Sequence, residues 1–280
     1  MRVFAEERRA PAAMECREGR LSFRRVADRT VIEASLARNP LRLLTPRNHG
    51  RGAWAYTSTL GGGLVDGDEI RLHVQVGRDA CALLASQGHN RVYRSSLGSA
   101  TELVANVEPG AFLALLPDPT VCFAGARYRQ RTDVRLAAGA SAVLLDVLTA
   151  GRGARGERWA FRRYSSELEL RIDDRIVVQE RTLLDQRHGS VAERMGRFDV
   201  LCTILLAGEL LRSARAALAT ALAAAALRPR ADAVEQANDL GDALVIRMAS
   251  VSLEEALRTV RERLAFLPEL LGDDPWARRP

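Results

Sequence analysis

Two aspartates, Asp66 and Asp68, follow a run of glycines in LGGGLVDGDEI, residues 60–70. Paired carboxylates could divide acid and base roles in a hydrolase or lyase, and a glycine run could cradle a phosphate. A P-loop needs G-x-x-x-x-G-K-[ST], but all 41 lysine-or-arginine positions of this chain are arginine. The same absence removes Schiff-base catalysis. A dinucleotide fingerprint needs a helix opening directly after its glycines. Here EIRLHVQV (69–76) sets Ile70, Leu72, Val74 and Val76 against polar partners, a period of two that predicts a strand with one buried face. Gly61, Gly62, Gly63 and Gly67 are therefore expected to be structural, turning the chain between strands by positive φ or close backbone approach.

Other reactive groups are scattered. Cys16, Cys81, Cys122 and Cys202 form no C-x-x-C pair, so each reads as a small apolar residue rather than a zinc or redox ligand. There is no nucleophile elbow and no H-E-x-x-H. A carbohydrate- or peptide-binding β module would want exposed aromatics on a strand face, for which Trp54, Tyr56 and Trp159 are the candidates. The net charge of +6 and pI near 9.7 invite a nucleic-acid partner. Against that, the arginines are interspersed with 35 acidic residues, and the 5% of aromatic residues do not cluster with them, so no nucleic-acid surface is expected. The N-terminal residues lack the apolar core of a signal peptide. The least polar run, Ala216 to Leu227, is too short to span a bilayer, so the expectation is a cytoplasmic protein without membrane contact.

The elements that must position these groups are mostly strands. From about residue 20 to 196, short apolar stretches bounded by Gly, Pro or Asn predict an irregular multi-stranded β body, β-helix-like or built of layered sheets. SELELRI and RIVVQERTL predict a hairpin with Asp173 and Asp174 at its tip, and no internal sequence repeat is visible. Past Arg197 the chain changes character. FDVLCTILLAGELLRSARAALATALAAAAL is rich in the best helix formers and is stopped by Arg228-Pro229; ALVIRMAS reads as a strand; and Ser252 to Glu255 is a capping box opening a second helix that ends before Pro268. The expectation is one mainly β domain over 1–280, whose 197–272 part carries two α-helices and a strand. The exposed face of those helices is the expected docking place for a protein partner.

Five segments, in order, resemble the UreD (also called UreH) family of urease accessory proteins: TLGGGLVDGDEI (59–70), SQGHNRVYRSS (86–96), LPDPTVCFAGARYRQ (116–130), GRGARGERWAF (151–161) and VVQERTLL (177–184). The resemblance implies a predominantly β body, helices toward the C-terminus and no enzymatic activity. It also implies binding to a UreF-type protein, through it to a UreG-type GTPase, contact with apo-urease, and part of a passage along which nickel moves, with no cofactor held permanently. Ser86-Gln87 and Arg91 stand where the family often has a threonine-rich approach and a lysine, and His89 stands where small residues are usual.

A passage for a metal must hold it loosely. With association at about 10⁸ per molar per second, nanomolar affinity would release an ion only about once in ten seconds. Carboxylates and carbonyls suit such transit better than thiolate and imidazole clusters. Within or beside the matched segments, the candidate carboxylates are Asp68, Asp146, Glu157 and Glu180. Each could instead form an internal salt bridge, given Arg152, Arg155, Arg158 and Arg181. Gln87, Tyr93 and Arg94 form a further polar group on or beside a strand, able to bond the sheet or to face a partner.

Overall fold

The computed structural model describes residues 17–47, 50–226 and 228–277. Cys16 and the N-terminal segment lie outside these residues. β1 (Arg17–Val26) and β2 (Arg29–Leu36) form a hairpin, and two further strands follow, β3 (Leu41–Leu44) and β4 (Ala53–Thr59). The chain then alternates between two sheets. β5 (Glu69–Val76), β8 (Ser99–Val107), β11 (Arg127–Leu136) and β13 (Arg163–Ile172) lie parallel in one. In the other, β4 is followed in parallel by β6 (Cys81–Ser86), β9 (Phe112–Leu116) and β12 (Ser141–Thr149). Two short strands, β7 (Asn90–Val92) and β10 (Thr120–Cys122), pair with each other, and β10 also pairs with β12. The body is thus a flattened β-helix closed by antiparallel strands. On the first sheet these are β2 at one edge and β14 (Arg175–Asp185) at the other.

The coils repeat although the sequence does not. Each passage from the first sheet to the second along β5 to β12 uses a four-residue corner, Gly77–Ala80, Glu108–Ala111 and Ala137–Ala140, in which the last N–H donates to the first carbonyl at 2.9 to 3.0 Å. The corners stack, Phe112 N donating to Ala80 O and Ser141 N to Ala111 O. Each corner ends in a buried alanine (Ala80, Ala111, Ala140), and the strands need only an alternating apolar face. Many sequences meet those two conditions, so structural periodicity leaves no readable repeat.

After α1 (Val191–Met195), the second sheet is extended by β15 (Val200–Gly208), β17 (Ala243–Ser250) and β16 (Ala233–Asp239), all antiparallel. β15 departs from the sequence reading, which ran a helix from Arg197. Its Leu201, Leu205 and Ala207 face the first sheet, whereas Cys202, Ile204 and Leu206 lie in the cluster beneath the helices. A strand apolar on both faces cannot be told from a buried helix by periodicity. Here pairing with β12 and β17 overrides leucine's helix preference. The two expected helices are α2 (Arg212–Ala224) and α3 (Leu253–Arg263), the latter followed by a short α4 (Leu267–Leu271). Ser252 Oγ caps α3 by accepting from Glu255 N at 3.2 Å, while the Glu255 carboxylate turns forward to Arg258. Ala256, Val260, Leu264, Leu267 and Leu271 are buried against Trp54, Leu83, Ile204 and Ile246 on the outer face of the second sheet. The tip of the β13–β14 hairpin is Asp173-Asp174, both at positive φ (46° and 65°).

Candidate functional site

The glycine run sits between β4 and β5. Gly61 and Gly62 take φ of 79° and 72°, a region that costs an L-residue strain. Gly63 is extended and needed for a different reason: a Cβ there would lie 2.6 Å from both Arg91 O and Tyr93 Cε2. Leu64 N donates to Arg91 O (2.8 Å) and Tyr93 N to Leu64 O (2.9 Å), so the glycine turn and the segment after β7 are laced together. Asp66 accepts from Ser96 N (3.1 Å), Ser96 Oγ (2.7 Å), Leu97 N (2.8 Å) and Gly98 N (2.9 Å). The Ser96 hydroxyl, with these amides, lowers its pKa to about 2. Asp68 accepts from Val65 N at 2.9 Å within its own turn. Asp66 and Asp68 are thus turn-builders, and Asp66, its oxygens engaged and its pKa low, is a poor proton acceptor for a hydrolase or lyase.

Above the apolar inter-sheet core the inward rows become polar. On the first sheet Ile70, Thr101, Gln130, Ser166 and Thr182 stand opposite one another on successive strands. On the second, Asp146 stands opposite Thr203, and Thr203 opposite Arg247. Between these rows lies a cavity of about 310 Å³. Its lining runs from exposed Gln87, Gly88 and His89 down to Asp146, Gln130 and Ser166. The amide nitrogen of Gln130 lies 2.9 Å from Asp146 Oδ2, from Tyr164 OH and from Ser166 Oγ. Ser166 Oγ is 3.2 Å from Asp146 Oδ2. Desolvation outweighs these bonds and raises the Asp146 pKa. Burial likewise raises Tyr164, with the Asp146 charge adding to it. Tyr128 OH, also raised by burial, lies 2.6 Å from Thr101 Oγ1 and 3.2 Å from Asn90 Nδ2. At the mouth, Asp118 Oδ2 accepts from Gly88 N at 3.0 Å. Asp118, Gln130, Asn90 and Tyr128 were not singled out in the sequence. All four lie in the segments 86–96 and 116–130 that carry the resemblance, and that position was the available signal.

The other carboxylates lie elsewhere. Glu180 is opposite Leu168 on the inward row of β14, and both its oxygens meet the Arg247 guanidinium. Glu157 does not line the cavity. Arg152 holds it in a fork and Ala124 N donates to it at 3.0 Å, so its pKa falls, Arg152 being the largest cause. Arg152 in turn stacks over Phe123 at 4.0 Å, and Tyr93 meets that ring edge-on at 5.1 Å. Arg94 packs beside Gly125, so Tyr93 and Arg94 keep company with the Phe123 segment while Gln87 lines the cavity. Trp54, Tyr56 and Trp159 are buried and offer no aromatic platform. Cys81, Cys122 and Cys202 are buried, and burial pushes the Cys81 thiol up to about 11. Among the described residues no three His, Cys, Asp or Glu side chains come together to hold a metal ion, and no helix is long and apolar enough to cross a membrane.

The sequence matches the profile of the family described as UreD urease accessory protein over residues 17–280. It is 50% identical over 262 residues to the urease accessory protein UreD of Sorangium cellulosum (strain So ce56), covering 93% of this chain and 83% of that one. Similarity to the protein of the same name from Anaeromyxobacter sp. (strain Fw109-5) is 42% over 264 residues, covering 94% and 89% of the two chains. The urease accessory protein D of Oryza sativa subsp. indica is 29% identical over 302 residues, covering 97% and 99%. These matches run through the β-helical body and the C-terminal helices alike, and the chain belongs to the UreD family of urease accessory proteins.

Proposed function

We propose that this chain is a non-enzymatic subunit of a cytoplasmic accessory complex, in which it binds a UreF-type protein and, through it, a UreG-type GTPase and apo-urease. Its task is to carry nickel part of the way to the urease active site. Nickel is cargo, and no cofactor is held permanently. The observation that supports this best is Asp146: a carboxylate bonded by the neutral side chains Gln130 and Ser166, in a cavity that also takes in Glu102 and Asp118 and reaches the surface at Gln87 and His89. Carboxylates that are not gathered into one ligand cluster attract a divalent ion without trapping it. Glu180, on the adjoining inward row just beyond the cavity lining, is the second passage carboxylate. Asp68 and Glu157 stand outside the cavity lining, the first beside the glycine turn and the second clamped by Arg152.

The test is maturation of apo-urease by the assembled accessory proteins, with nickel per active site as the readout. Asp146→Asn and Glu180→Gln should each co-purify with the partners and deliver less nickel. Full loading by both variants removes the passage role. The alanine-rich outer face of α2, which includes exposed Ala217 and Ala221, is the proposed docking surface for the UreF-type partner.

A further inference from the structure

The cavity lining stops at Asp146, Ser166 and Leu168. One strand further, the inward positions are Thr203 on the second sheet and Thr182 on the first, both half-buried and too short to meet across sheets packed about 10 Å apart. The next pair does meet. Arg247, two strands from Asp146, reaches Glu180 with Nε on Oε2 at 3.1 Å and Nη2 on Oε1, so the ion pair ties β17 to β14 across the open side of the polar layer. The arginine has a second acceptor outside that pair, Asn238 Oδ1 at 3.3 Å from Nη1, and its side chain is 47% exposed. It therefore has both the room and a partner with which to leave Glu180.

We infer that Arg247 is the resident counter-cation of Glu180, a positioning residue that a passing divalent ion displaces toward Asn238. It thereby sets how tightly the ion is held at that open side of the layer. This rests on the passage reading above and goes beyond it, because it names the group that keeps the Glu180 carboxylate from becoming a trap. A guanidinium fork bonds both carboxylate oxygens and neutralises their charge, so an ion arriving there competes with the arginine, and the returning arginine drives it off.

The experiment is a nickel titration of apo-urease maturation by the assembled accessory complex, with nickel per active site measured at each concentration. Arg247→Ala should lower the nickel concentration giving half-maximal loading and also lower the loading rate at saturation, each by about tenfold, the factor one Glu-bound competitor is expected to impose. Arg247→Lys, which keeps the charge but loses the fork, should fall between the two. The effect must pass through the carboxylate, so in a Glu180→Gln background Arg247→Ala should change neither quantity. Equal shifts in both backgrounds, or a wild-type titration curve for an Arg247→Ala chain that melts and assembles normally, overturn the inference. So does a lowered rate with an unmoved half-maximal concentration, the mark of a merely structural pair. Full loading by Asp146→Asn and Glu180→Gln is the separate result that removes the passage itself.

Discussion

Asp146→Asn should make the chain more stable at neutral pH while making it worse at loading nickel. The Asp146 carboxyl is buried between the sheets, and two neutral donors, Gln130 and Ser166, only partly offset the loss of water, so its folded pKa is raised with burial as the largest cause. The sign follows from linkage. Below its unfolded value of 3.8 the group is protonated in both states and contributes nothing to the pH dependence. Above that value the unfolded chain releases the proton and the folded chain does not, so stability falls as pH rises, by about 1.4 kcal/mol per unit, until the folded pKa is passed. Asparagine has no proton to release and keeps an acceptor for Gln130. It forfeits the charge assistance of that bond, roughly 1 kcal/mol. Desolvation outweighs this, and a net gain of about 1 kcal/mol moves the melting temperature of a chain near this size by roughly 2–4 °C. Thermal melts of both proteins from acidic to neutral pH should therefore converge near the unfolded pKa and separate above it, with the variant higher. A variant that melts below wild type at neutral pH would refute the reasoning, because the ionised carboxylate would then be a needed partner. Paired nickel measurements should move the other way, and gain of stability with loss of delivery is a combination no salt bridge produces.

The two glycines should fail differently. Gly62→Ala should cost about 1 kcal/mol from the left-handed backbone alone and Gly62→Asn less, whereas Gly63→Ala should cost about 1–3 kcal/mol because the new Cβ meets the fixed Arg91 carbonyl; chemical denaturation ranks the three. Removing the Asp66 carboxylate (Asp66→Ala) should speed hydrogen exchange at Leu97 and Gly98. Since the folded pKa is depressed to about 2 from 3.8, the wild-type contribution is present above 3.8 and disappears as pH falls through about 2. Glu157→Gln should lower the melting temperature by releasing Arg152, yet leave nickel delivery per assembled complex unchanged. Ala217→Glu combined with Ala221→Glu should leave the monomer's melt unchanged and abolish co-purification with the UreF-type protein, and retained binding moves the docking surface elsewhere.

Strand content and the positive-φ turn at the glycines were legible because both have local causes: alternation in Ile70, Leu72, Val74 and Val76, and a glycine run with no helix after it. The hairpin tip at Asp173-Asp174 and the Ser252 cap were legible for the same reason. β15 was not, because what decides between helix and strand for Val200–Gly208 is the pair of edges offered by β12 and β17, far away in sequence. The site divides along the same line. Asp146 stood out as an acid inside SAVLLDVL, but its neighbours Gln130 and Ser166 come from other coils and carry no local mark. The Glu180 partner was sought among nearby arginines such as Arg181. Alternation along β14 turns Arg181 to the outer face, and the inward row instead brings Glu180 to Arg247.

The β-helical plan explains why a polar cavity can exist inside such a body at all. Stacked coils place one position of each turn in a row across the sheet, so a few polar substitutions at matching positions make a continuous polar stripe between layers that remain apolar below. Ile70 gives way along its row to Thr101, Gln130 and Ser166, while the Val74 and Val76 positions stay in the core. Each polar side chain in the stripe must find a partner, and most find one another, Thr101 with Tyr128 and Gln130 with Ser166. At Asp146 the side-chain donors do not offset the loss of water. Asp146 is thus the position at which the stripe remains electrostatically incomplete, at the inner end of an open cavity, and in the passage proposed above that residual field is what a divalent cation would use.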